Sequence, residues 1–356
     1  MNEAGSLVRQ GYRVTFIGWD RKSEFTPVEQ LYGVKVIRLQ NTGYMNLLRF
    51  DVFRLRPWWR LAYGSALRLY GTYPFHAIYC HDLDTLPTGV WLKKEFGVPL
   101  IYDAHEIWGH MVSRDLPGVL ASYFLRRERR LIGHVDMVIT VSEPTVEYFE
   151  KFASAHVVLT MNARHVPTTR YVPPRNDSFT AIYVGTLNDS RFVRELVDSF
   201  RGLEGVKLVL AGMGKPAYVQ ALEEKCEKVA NVEFIGRVSQ EEVLPLTLKA
   251  DCVICLTVPS DKDNSIAMAN KQFDAMACGR SIVVSRDTYL AYFTEKHGVG
   301  TVVEHSIQGV KKGVRNLRDN PELCESLGRR ALELALQEFN WERQEEVLVR
   351  AYEKLR

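Results

Sequence analysis

Long apolar stretches, paired cysteines and a large charge of one sign are all missing from this sequence. No apolar run approaches the roughly 20 residues that a membrane-spanning helix needs, so an integral membrane protein is not expected. The 6 cysteines are too scattered for a disulfide-stapled fold or a zinc site. A net charge of +3 argues against a nucleic-acid partner. These absences favour a reduced, cytoplasmic protein.

One pair of cysteines does have the C-x-x-C spacing of redox and metal sites. Cys252 and Cys255 lie in "DCVICLTV", a continuous apolar run that is typical of a buried strand. Side chains of a strand alternate between its two faces, so the two sulfurs would point in opposite directions. We therefore expect neither a redox nor a metal role for this pair.

The sequence does contain enough apolar material for two domains, since 46% of its 356 residues are hydrophobic. Strand-like runs alternate with helical stretches, which is typical of parallel sheets covered by helices. This pattern predicts an α/β fold with two Rossmann-like domains. The strands are expected at residues 13–18, 34–39, 77–80, 100–102, 137–141, 157–160, 181–184, 206–211, 232–235, 252–256, 282–284 and 300–303.

The predicted domain boundary is the stretch "MNARHVPTTRYVPPRND", which is rich in proline and asparagine and has no periodicity. We expect one domain over residues 1–165 and a second over 166–338. A last helix, within 339–356, has apolar positions at helical spacing. It is expected to pack back toward the first domain.

The stretch around which the second half is organised is "NKQFDAMACGRSIVVS", a short helix that leads into a buried strand. Asn270, Lys271 and Asp274 share the opening turns of this helix, and Gly279 suits a left-handed C-cap. Backbone N–H groups and the helix dipole would face an anion there, while a carboxylate could accept hydroxyls. An ordinary solvated first turn is the alternative.

This stretch resembles "NKLFEYMAAGLPVVAS", a signature of retaining GT-B glycosyltransferases of family four, which includes exopolysaccharide and mannosyl transferases. The resemblance implies transfer of a sugar from a nucleotide-sugar donor to a hydroxyl of a glycan or lipid-linked acceptor. It implies no cofactor and no metal. The helix would bind the donor's diphosphate through Asn270 and Lys271, and Asp274 would hold the ribose.

A second phosphate-binding motif is expected in "IYVGTLNDSRFVREL". Gly185 ends a predicted strand, and Arg191 would open the next helix, where an arginine can bind two phosphate oxygens. The resemblance assigns this stretch to the diphosphate as well. Thr186 stands where relatives often carry a second basic residue, so one of the two usual phosphate cations is missing.

The segment "LVLAGMGKPAYVQ" fits a dinucleotide fingerprint at 212–217, with Glu233 about 20 residues further on. An NAD-linked or epimerase-type enzyme is therefore one rival hypothesis. Against it, Glu233 lies inside its strand rather than at the end. The resemblance instead gives a glycine loop that includes Gly214, followed by Arg237 and Val238 against the nucleotide base.

In the first half, "YDAHEIWGH" puts Asp103, His105 and Glu106 just past a strand, where open α/β sheets bind ligands. Two flanking acids would orient the histidine and tune it towards neutral pH. The resemblance implies that His105 lines the donor–acceptor cleft; a hydrogen-bonded structural histidine is the alternative. The Asp-x-Asp at 82–84 looks like a metal motif, but the resemblance makes it a coincidence.

The chain's basic excess is concentrated at 44–73, where five arginines are mixed with Phe50, Phe53, Trp58 and Trp59. Such a mixture suits an anionic membrane surface, because aromatic rings enter the headgroup region and cations meet lipid phosphates. A peripheral position on the inner face of the membrane is the corresponding expectation. A pair of core helices with snorkelling arginines is the alternative.

The family motif contains two acidic residues that stand eight positions apart, and this chain departs from that pattern. Eight positions before Asp274 the chain has Ile266, and the nearby Asp261, Asp263 and Asn264 are out of register. The donor-sugar contact is thus unassigned. A non-catalytic GT-B protein that binds a partner or lipid is the second rival hypothesis.

The opening of the chain is unusual, because it begins inside a helix instead of a strand and glycine-rich loop. In a doubly wound sheet, a central first strand would separate the strands at 13–18 and 77–80. We expect the first-domain sheet to lack that strand. On this hypothesis Met1 is an internal methionine, and the 356-residue product folds poorly or is inactive until extended upstream.

Overall fold

The computed structural model describes residues 2–48, 51–113 and 116–355. The chain divides into two compact units. The first comprises residues 1–160 and 345–356, and the second comprises residues 161–344. The sequence-predicted boundaries are at residues 165 and 338.

Within its described residues, the first unit contains seven strands and six α-helices, followed by the end of the last helix of the chain. Its strands are β1 (Thr15–Asp20), β2 (Val28–Leu31), β3 (Val34–Gln40), β4 (Ile78–His81), β5 (Leu100–Ala104), β6 (Met137–Thr140) and β7 (His156–Leu159). Its helices are α1 (Asn2–Arg9), α2 (Asp51–Thr72), α3 (Leu86–Phe96), α4 (Trp108–Val112), α5 (Gly118–Ile132) and α6 (Glu143–Glu150).

The second unit has six strands and seven helices, and the chain ends in α14 (Trp341–Glu353). The strands are β8 (Phe179–Leu187), β9 (Val206–Gly214), β10 (Val232–Gly236), β11 (Cys252–Cys255), β12 (Ser281–Ser285) and β13 (Gly300–Val303). The helices are α7 (Val193–Phe200), α8 (Pro216–Cys226), α9 (Gln240–Leu248), α10 (Asn270–Ala277), α11 (Tyr289–His297), α12 (Ile307–Asp319) and α13 (Pro321–Gln337).

The sheet of the second unit has the order β10-β9-β8-β11-β12-β13, and every neighbouring pair is parallel. This is a doubly wound sheet in which β8 and β11 are central, so ligands are expected at their carboxyl ends. Its core is built from buried side chains such as Tyr183, Leu208, Ile254 and Val283. The α/β fold predicted from the alternation of strands and helices is confirmed.

The first unit has two sheets instead of one. A parallel sheet has the order β4-β5-β6-β7, and a second sheet has the order β1-β3-β2. Within the described residues β1 and β4 do not pair, and each is an edge strand, as predicted for a first-domain sheet without its central strand. β2 was not predicted; it pairs antiparallel with β3 and carries only two apolar residues, Val28 and Leu31.

The end of α14 belongs to the core of the first unit. Leu348, Ala351 and Tyr352 pack in one cluster with Leu7 of α1 and with Ile101 of β5. Apolar residues of α14 at spacings of three and four form one face, which explains why this end of the helix covers a sheet.

The arginine-rich segment at 44–73 is largely the helix α2. Trp58 and Trp59 are only 3% and 8% exposed. Trp58 stacks on Trp19, and the Trp59 Nε1 donates a hydrogen bond of 2.7 Å to the backbone oxygen of Asp84. The expectation that these tryptophans enter a membrane is therefore wrong, and the core-helix alternative accounts for them. Arg49 and Phe50 of this segment lie outside the described residues.

None of the helices in the described part of the chain combines the length and the apolar character that crossing a membrane requires.

Cys252 and Cys255 are the ends of β11 and are both buried. Burial raises the pKa of both thiols, which keeps them protonated and poor nucleophiles.

Candidate functional site

The second unit collects polar side chains where the central strand β8 meets the first turn of α10. Lys271 is the second residue of α10, and its ammonium lies against the backbone of Gly185. A Cβ atom at Gly185 would stand 2.6 Å from Lys271 Nζ, so the glycine makes room for the ammonium. The same Nζ lies 4.3 Å from the ring centre of Tyr183.

Lys271 and Arg191 bring two positive charges to one place. Burial lowers the pKa of the Lys271 ammonium, and the nearby Arg191 guanidinium lowers it further. Each charge therefore destabilises the other until an anion binds. A nucleoside diphosphate is an anion of suitable size and charge for such a pair.

Arg191 is positioned differently from the sequence prediction. It ends a 3₁₀ turn at Asp189–Arg191, and α7 begins only at Val193, after Phe192 with a φ of 55°. Arg191 thus lies in the turn before the helix rather than at its opening. Its Nη1 is 3.5 Å from the Oδ1 of Asn264.

Asn264 is a site residue whose position relative to Arg191 could not be predicted from the sequence. Its Nδ2 donates to the backbone oxygen of Val258 at 3.0 Å, which fixes the amide in the loop after β11. Both Asn264 and its neighbour Asp263 are buried. The amide therefore stands beside Arg191. It lies two positions before Ile266, the place where the family resemblance predicts the first of two acidic residues.

Asp274 makes an ion pair that the sequence did not predict. The Nε of Arg164 donates to its Oδ1 at 2.6 Å, and the Asp274 side chain is 8% exposed. Burial raises the pKa of Asp274, and the Arg164 charge opposes that rise. Arg164 comes from the loop before the second sheet, about 110 residues away in sequence, so no local pattern could reveal the contact.

The glycines of the dinucleotide fingerprint are used for strand pairing. Gly185 pairs with Gly212, and Leu187 pairs with Gly214, so β8 and β9 both extend beyond their predicted ends. A Cβ atom at Gly212 would overlap the carbonyl oxygen of Gly185. Gly214 ends a strand and is not part of a loop, and the fingerprint is thus explained without a nicotinamide cofactor.

The remaining predicted contacts of the nucleotide lie on separate elements. Arg237 and Val238 follow β10 and precede the capping box of α9, where Arg237 is exposed. Asn270 is exposed as the first residue of α10, and Thr186 lies within β8. No hydrogen bond or ion pair among the described residues joins these four to the ionic groups described above. Their part in nucleotide binding stays a prediction.

The first unit contains a compact cluster around His105. The Nε2 of His105 is 3.0 Å from the Oδ2 of Asp103, and the Nδ1 of His81 is 2.8 Å from the same oxygen. Burial alone would lower the pKa of His105, but the hydrogen bond with Asp103 raises that pKa to about 9. The Asp103 contact thus shifts the pKa of His105 away from neutrality, in the opposite sense to the sequence prediction.

The Asp-x-Asp sequence at 82–84 has structural contacts. Asp82 accepts a hydrogen bond of 3.2 Å from the backbone N–H of His105, and burial raises the pKa of Asp82 to about 7. Asp84 contributes its backbone oxygen to Trp59.

Three side chains of this cluster come close enough together to be considered as metal ligands. The ligand atoms of His81, Asp103 and His105 all lie within 4.8 Å of one another. Ligand atoms on a tetrahedral zinc ion would be about 3.3 Å apart. The distances of 2.8 and 3.0 Å fit hydrogen bonds better, so we do not assign these residues as ligands.

Solved structures with the same architecture are GT-B glycosyltransferases. Sucrose-phosphate synthase from Thermosynechococcus elongatus matches with a TM-score of 0.83 at 17% identity, over 99% of this chain and 91% of that one. HepE from Anabaena, in complex with UDP and glucose, matches with a TM-score of 0.72 at 12% identity, over 96% and 100%. WaaG, a glycosyltransferase involved in lipopolysaccharide biosynthesis, gives 0.69 at 13% identity, over 98% and 93%. The chain has the GT-B fold.

The family is given by sequence. Residues 1–163 match the glycosyl transferase 4-like domain, and residues 169–334 match the glycosyl transferases group 1 model. The chain therefore belongs to the glycosyltransferases that combine these two domains. None of the curated proteins is significantly similar to it.

Proposed function

We propose that the protein transfers a hexosyl group from a nucleotide-sugar donor to a hydroxyl of a glycan or lipid-linked acceptor, with retention at the anomeric carbon. The observation that carries this proposal is the Lys271 ammonium beside Gly185, with the Arg191 charge near enough to lower the pKa of Lys271. Two cations of a preorganised site can stabilise the charge that develops on a departing diphosphate. Asp274 of the second unit accepts ribose hydroxyls, and His105 of the first unit has a catalytic role.

In this mechanism, the bond between the anomeric carbon and the diphosphate oxygen breaks while the acceptor oxygen bonds to that carbon from the same face, and the acceptor's hydroxyl proton passes to the departing diphosphate oxygen. The negative charge grows on the diphosphate, next to the two cations. Neither a metal nor a redox cofactor is needed, because Lys271 and Arg191 supply the positive charge. Asn264, which contacts Arg191, replaces the first paired acid of relatives as the polar group near the donor sugar.

The donor class can be tested by thermal shift with UDP-, GDP- and ADP-sugars. HepE binds UDP and glucose in its crystal structure, so a uridine donor is the first choice. We expect one of the three donor classes to raise the melting temperature in a concentration-dependent way. NAD is included as the ligand of the rival oxidoreductase or epimerase hypothesis, and stabilisation by NAD alone would overturn the proposal.

Arg191→Ala is expected to weaken nucleoside-diphosphate binding by about 1.5–3 kcal/mol, the usual scale for a hydrogen bond to a charged group. Calorimetric titration of wild type and variant measures the difference. Arg194→Ala is the matched control, because Arg194 lies on α7 with its guanidinium over the ring of Tyr218. Equal affinities of wild type and Arg191→Ala would remove Arg191 from the site.

We also propose that this cytoplasmic enzyme works in polysaccharide biosynthesis at an anionic membrane surface, which it contacts through residues 44–73. The buried tryptophans take no part in this contact. Leu47 and Phe53 are 85% and 61% exposed, and Arg56 and Arg60 are exposed on the same face of α2 as Phe53. Apolar side chains flanked by arginines suit a headgroup region.

Co-sedimentation with anionic vesicles tests this membrane contact. Binding by the wild type is expected to fall with salt, and Phe53→Asp is expected to reduce it several-fold at low salt. Tyr32→Asp is the control, because Tyr32 is also highly exposed but lies between β2 and β3. An absence of co-sedimentation at low salt, or equal losses in both variants, would leave α2 as a core helix only.

A further inference from the structure

The carboxylate of Asp103 is shared by two histidines. Its Oδ2 lies 2.8 Å from His81 Nδ1 and 3.0 Å from His105 Nε2, and the residue is only 1% exposed. A buried carboxylate needs partners that satisfy its charge, and here two imidazole rings contact one of its oxygens, while Oδ1 is buried without a hydrogen-bond partner among the described residues. The two rings lie with their centres 6.0 Å apart and nearly parallel.

The backbone at the ends of β4 and β5 fixes this arrangement. His81 and Asp103 are register partners at the carboxyl ends of the two strands. Asp82, which follows His81, has a φ of 55°. Its backbone N–H donates to the backbone carbonyl oxygen of Asp103 at 2.8 Å, and its Oδ1 accepts from the backbone N–H of His105 at 3.2 Å. A non-glycine residue held in this region is a strained feature that the neighbouring contacts must stabilise.

We propose that Asp103 and His81 are positioning residues for the sugar transfer: Asp103 holds the His105 ring charged and in one orientation, and His81 fixes the Asp103 carboxylate. This inference rests on the proposed function, because it gives His105 a defined state in that reaction. As an imidazolium the ring has N–H donors only, which suits donation to a sugar hydroxyl.

Other ionisable groups face the cluster from several elements. They are Glu3 of α1, Tyr79 of β4, Asp82 and Asp84 after β4, Tyr102 of β5, Glu106 after β5, and Tyr352 of α14. Glu3 accepts a hydrogen bond of 2.7 Å from the Tyr79 hydroxyl, and burial raises the pKa of Glu3. Asp82 engages the backbone of His105. Asp103 is therefore the carboxylate that governs the charge of the His105 ring.

The first experiment follows the titration of His105 by NMR on histidine-labelled protein, with the signal assigned through His105→Gln. The wild-type ring is expected to stay protonated to a midpoint of about 9. Asp103→Asn keeps the shape of the side chain and removes its charge. It should bring the midpoint to about 6.5 or below, a change of about 100-fold or more in the acid constant.

Asp136→Asn is the matched control for this titration. Asp136 directly precedes β6, at the amino end of the same sheet, and its carboxylate binds Lys93 and the N–H of Leu100. This variant also removes one carboxylate charge but should leave the His105 midpoint unchanged. An equal midpoint in wild type and Asp103→Asn, or equal shifts in Asp103→Asn and Asp136→Asn, would overturn the proposal.

The second experiment separates positioning from simple structural support through the pH profile of kcat/KM. Below the His105 midpoint of the variant the ring is charged in both proteins. Asp103→Asn should therefore approach wild-type activity at a pH about one unit below its own measured His105 midpoint, and lose about 10-fold or more at a pH about one unit above that midpoint. His81→Asn should cause a smaller loss in the same direction. A loss that is equal at every pH would mean a structural role and would contradict the inference.

The outcomes distinguish this inference from the proposed function. Wild-type protein that transfers no sugar from any donor would overturn the proposed function and the positioning role with it. An active wild type whose His105 titration does not depend on Asp103 would overturn the positioning role alone. Activity that EDTA abolishes and Zn²⁺ restores would also overturn it, because the cluster would then bind a metal.

Discussion

Lys271→Met is expected to lower kcat for sugar transfer by about 100- to 1,000-fold, the usual effect of removing one preorganised group that stabilises developing negative charge. The Lys271 ammonium lies in a confined position between the Tyr183 ring and the Gly185 backbone, so its charge is little screened by water. Methionine preserves most of the volume and removes the charge. Steady-state rates at saturating donor measure the effect.

The matched control for this variant is Lys296→Met. Lys296 also places its ammonium over a tyrosine ring, 5.4 Å from the centre of Tyr292 on the surface helix α11. It lies outside the proposed site, so the control should keep its activity. A Lys271→Met protein that transfers sugar at the wild-type rate would show that Lys271 does not contact the leaving diphosphate.

Asp274→Asn is expected to have two effects, one on stability and one on binding. It leaves the Arg164 guanidinium, which is mostly buried, without its charged partner, and this should lower the free energy of unfolding by about 1.5–3 kcal/mol. It also weakens the acceptor for ribose hydroxyls. Nucleoside-diphosphate affinity should therefore fall by about 10-fold, equivalent to one charged hydrogen bond.

A double-mutant cycle separates these two effects. Arg164→Met combined with Asp274→Asn should regain part of the lost stability, because no buried charge is then left unpaired. It should not regain nucleotide affinity, since the carboxylate is still missing. Urea unfolding and calorimetry supply the two measurements. Additive stability losses would mean that the Arg164–Asp274 contact contributes nothing to the fold.

Most of the fold could be predicted from periodicity alone. Every predicted strand is present, because short apolar runs bounded by turn residues alternate regularly with helical stretches. β2 was missed because it is four residues long and carries too few apolar side chains to form a pattern. The extensions of β8 and β9 through Gly185 and Gly214 were missed for a different reason, since glycines usually mark the end of a strand.

The site was only partly predictable, because its members come from distant segments. The motif around Asn270 indicated Lys271 and Asp274 correctly as neighbours on one helix. The contact of Arg164 with Asp274 depends on tertiary packing, which spacing in the sequence does not encode. His81 was overlooked beside Asp103 because the contact follows from the register of β4 and β5.

The arginine-rich segment illustrates the limits of composition. Aromatic residues next to arginines suit both a membrane surface and a helix packed on a core, and composition does not distinguish the two. Stacking of Trp58 on Trp19 required a partner almost 40 positions away. The helical repeat indicated which residues share a face but not which face is covered.

The central claim is that the second unit binds a nucleoside diphosphate through Lys271 and Arg191. Calorimetric titration of UDP, GDP and ADP into the wild type and the Arg191→Ala/Lys271→Met double variant tests it most directly. We expect one nucleotide to bind the wild type and to lose about 100-fold or more in affinity for the double variant, as two charged contacts disappear. Equal binding to both proteins, or no binding of any nucleoside diphosphate to the wild type, would contradict the claim.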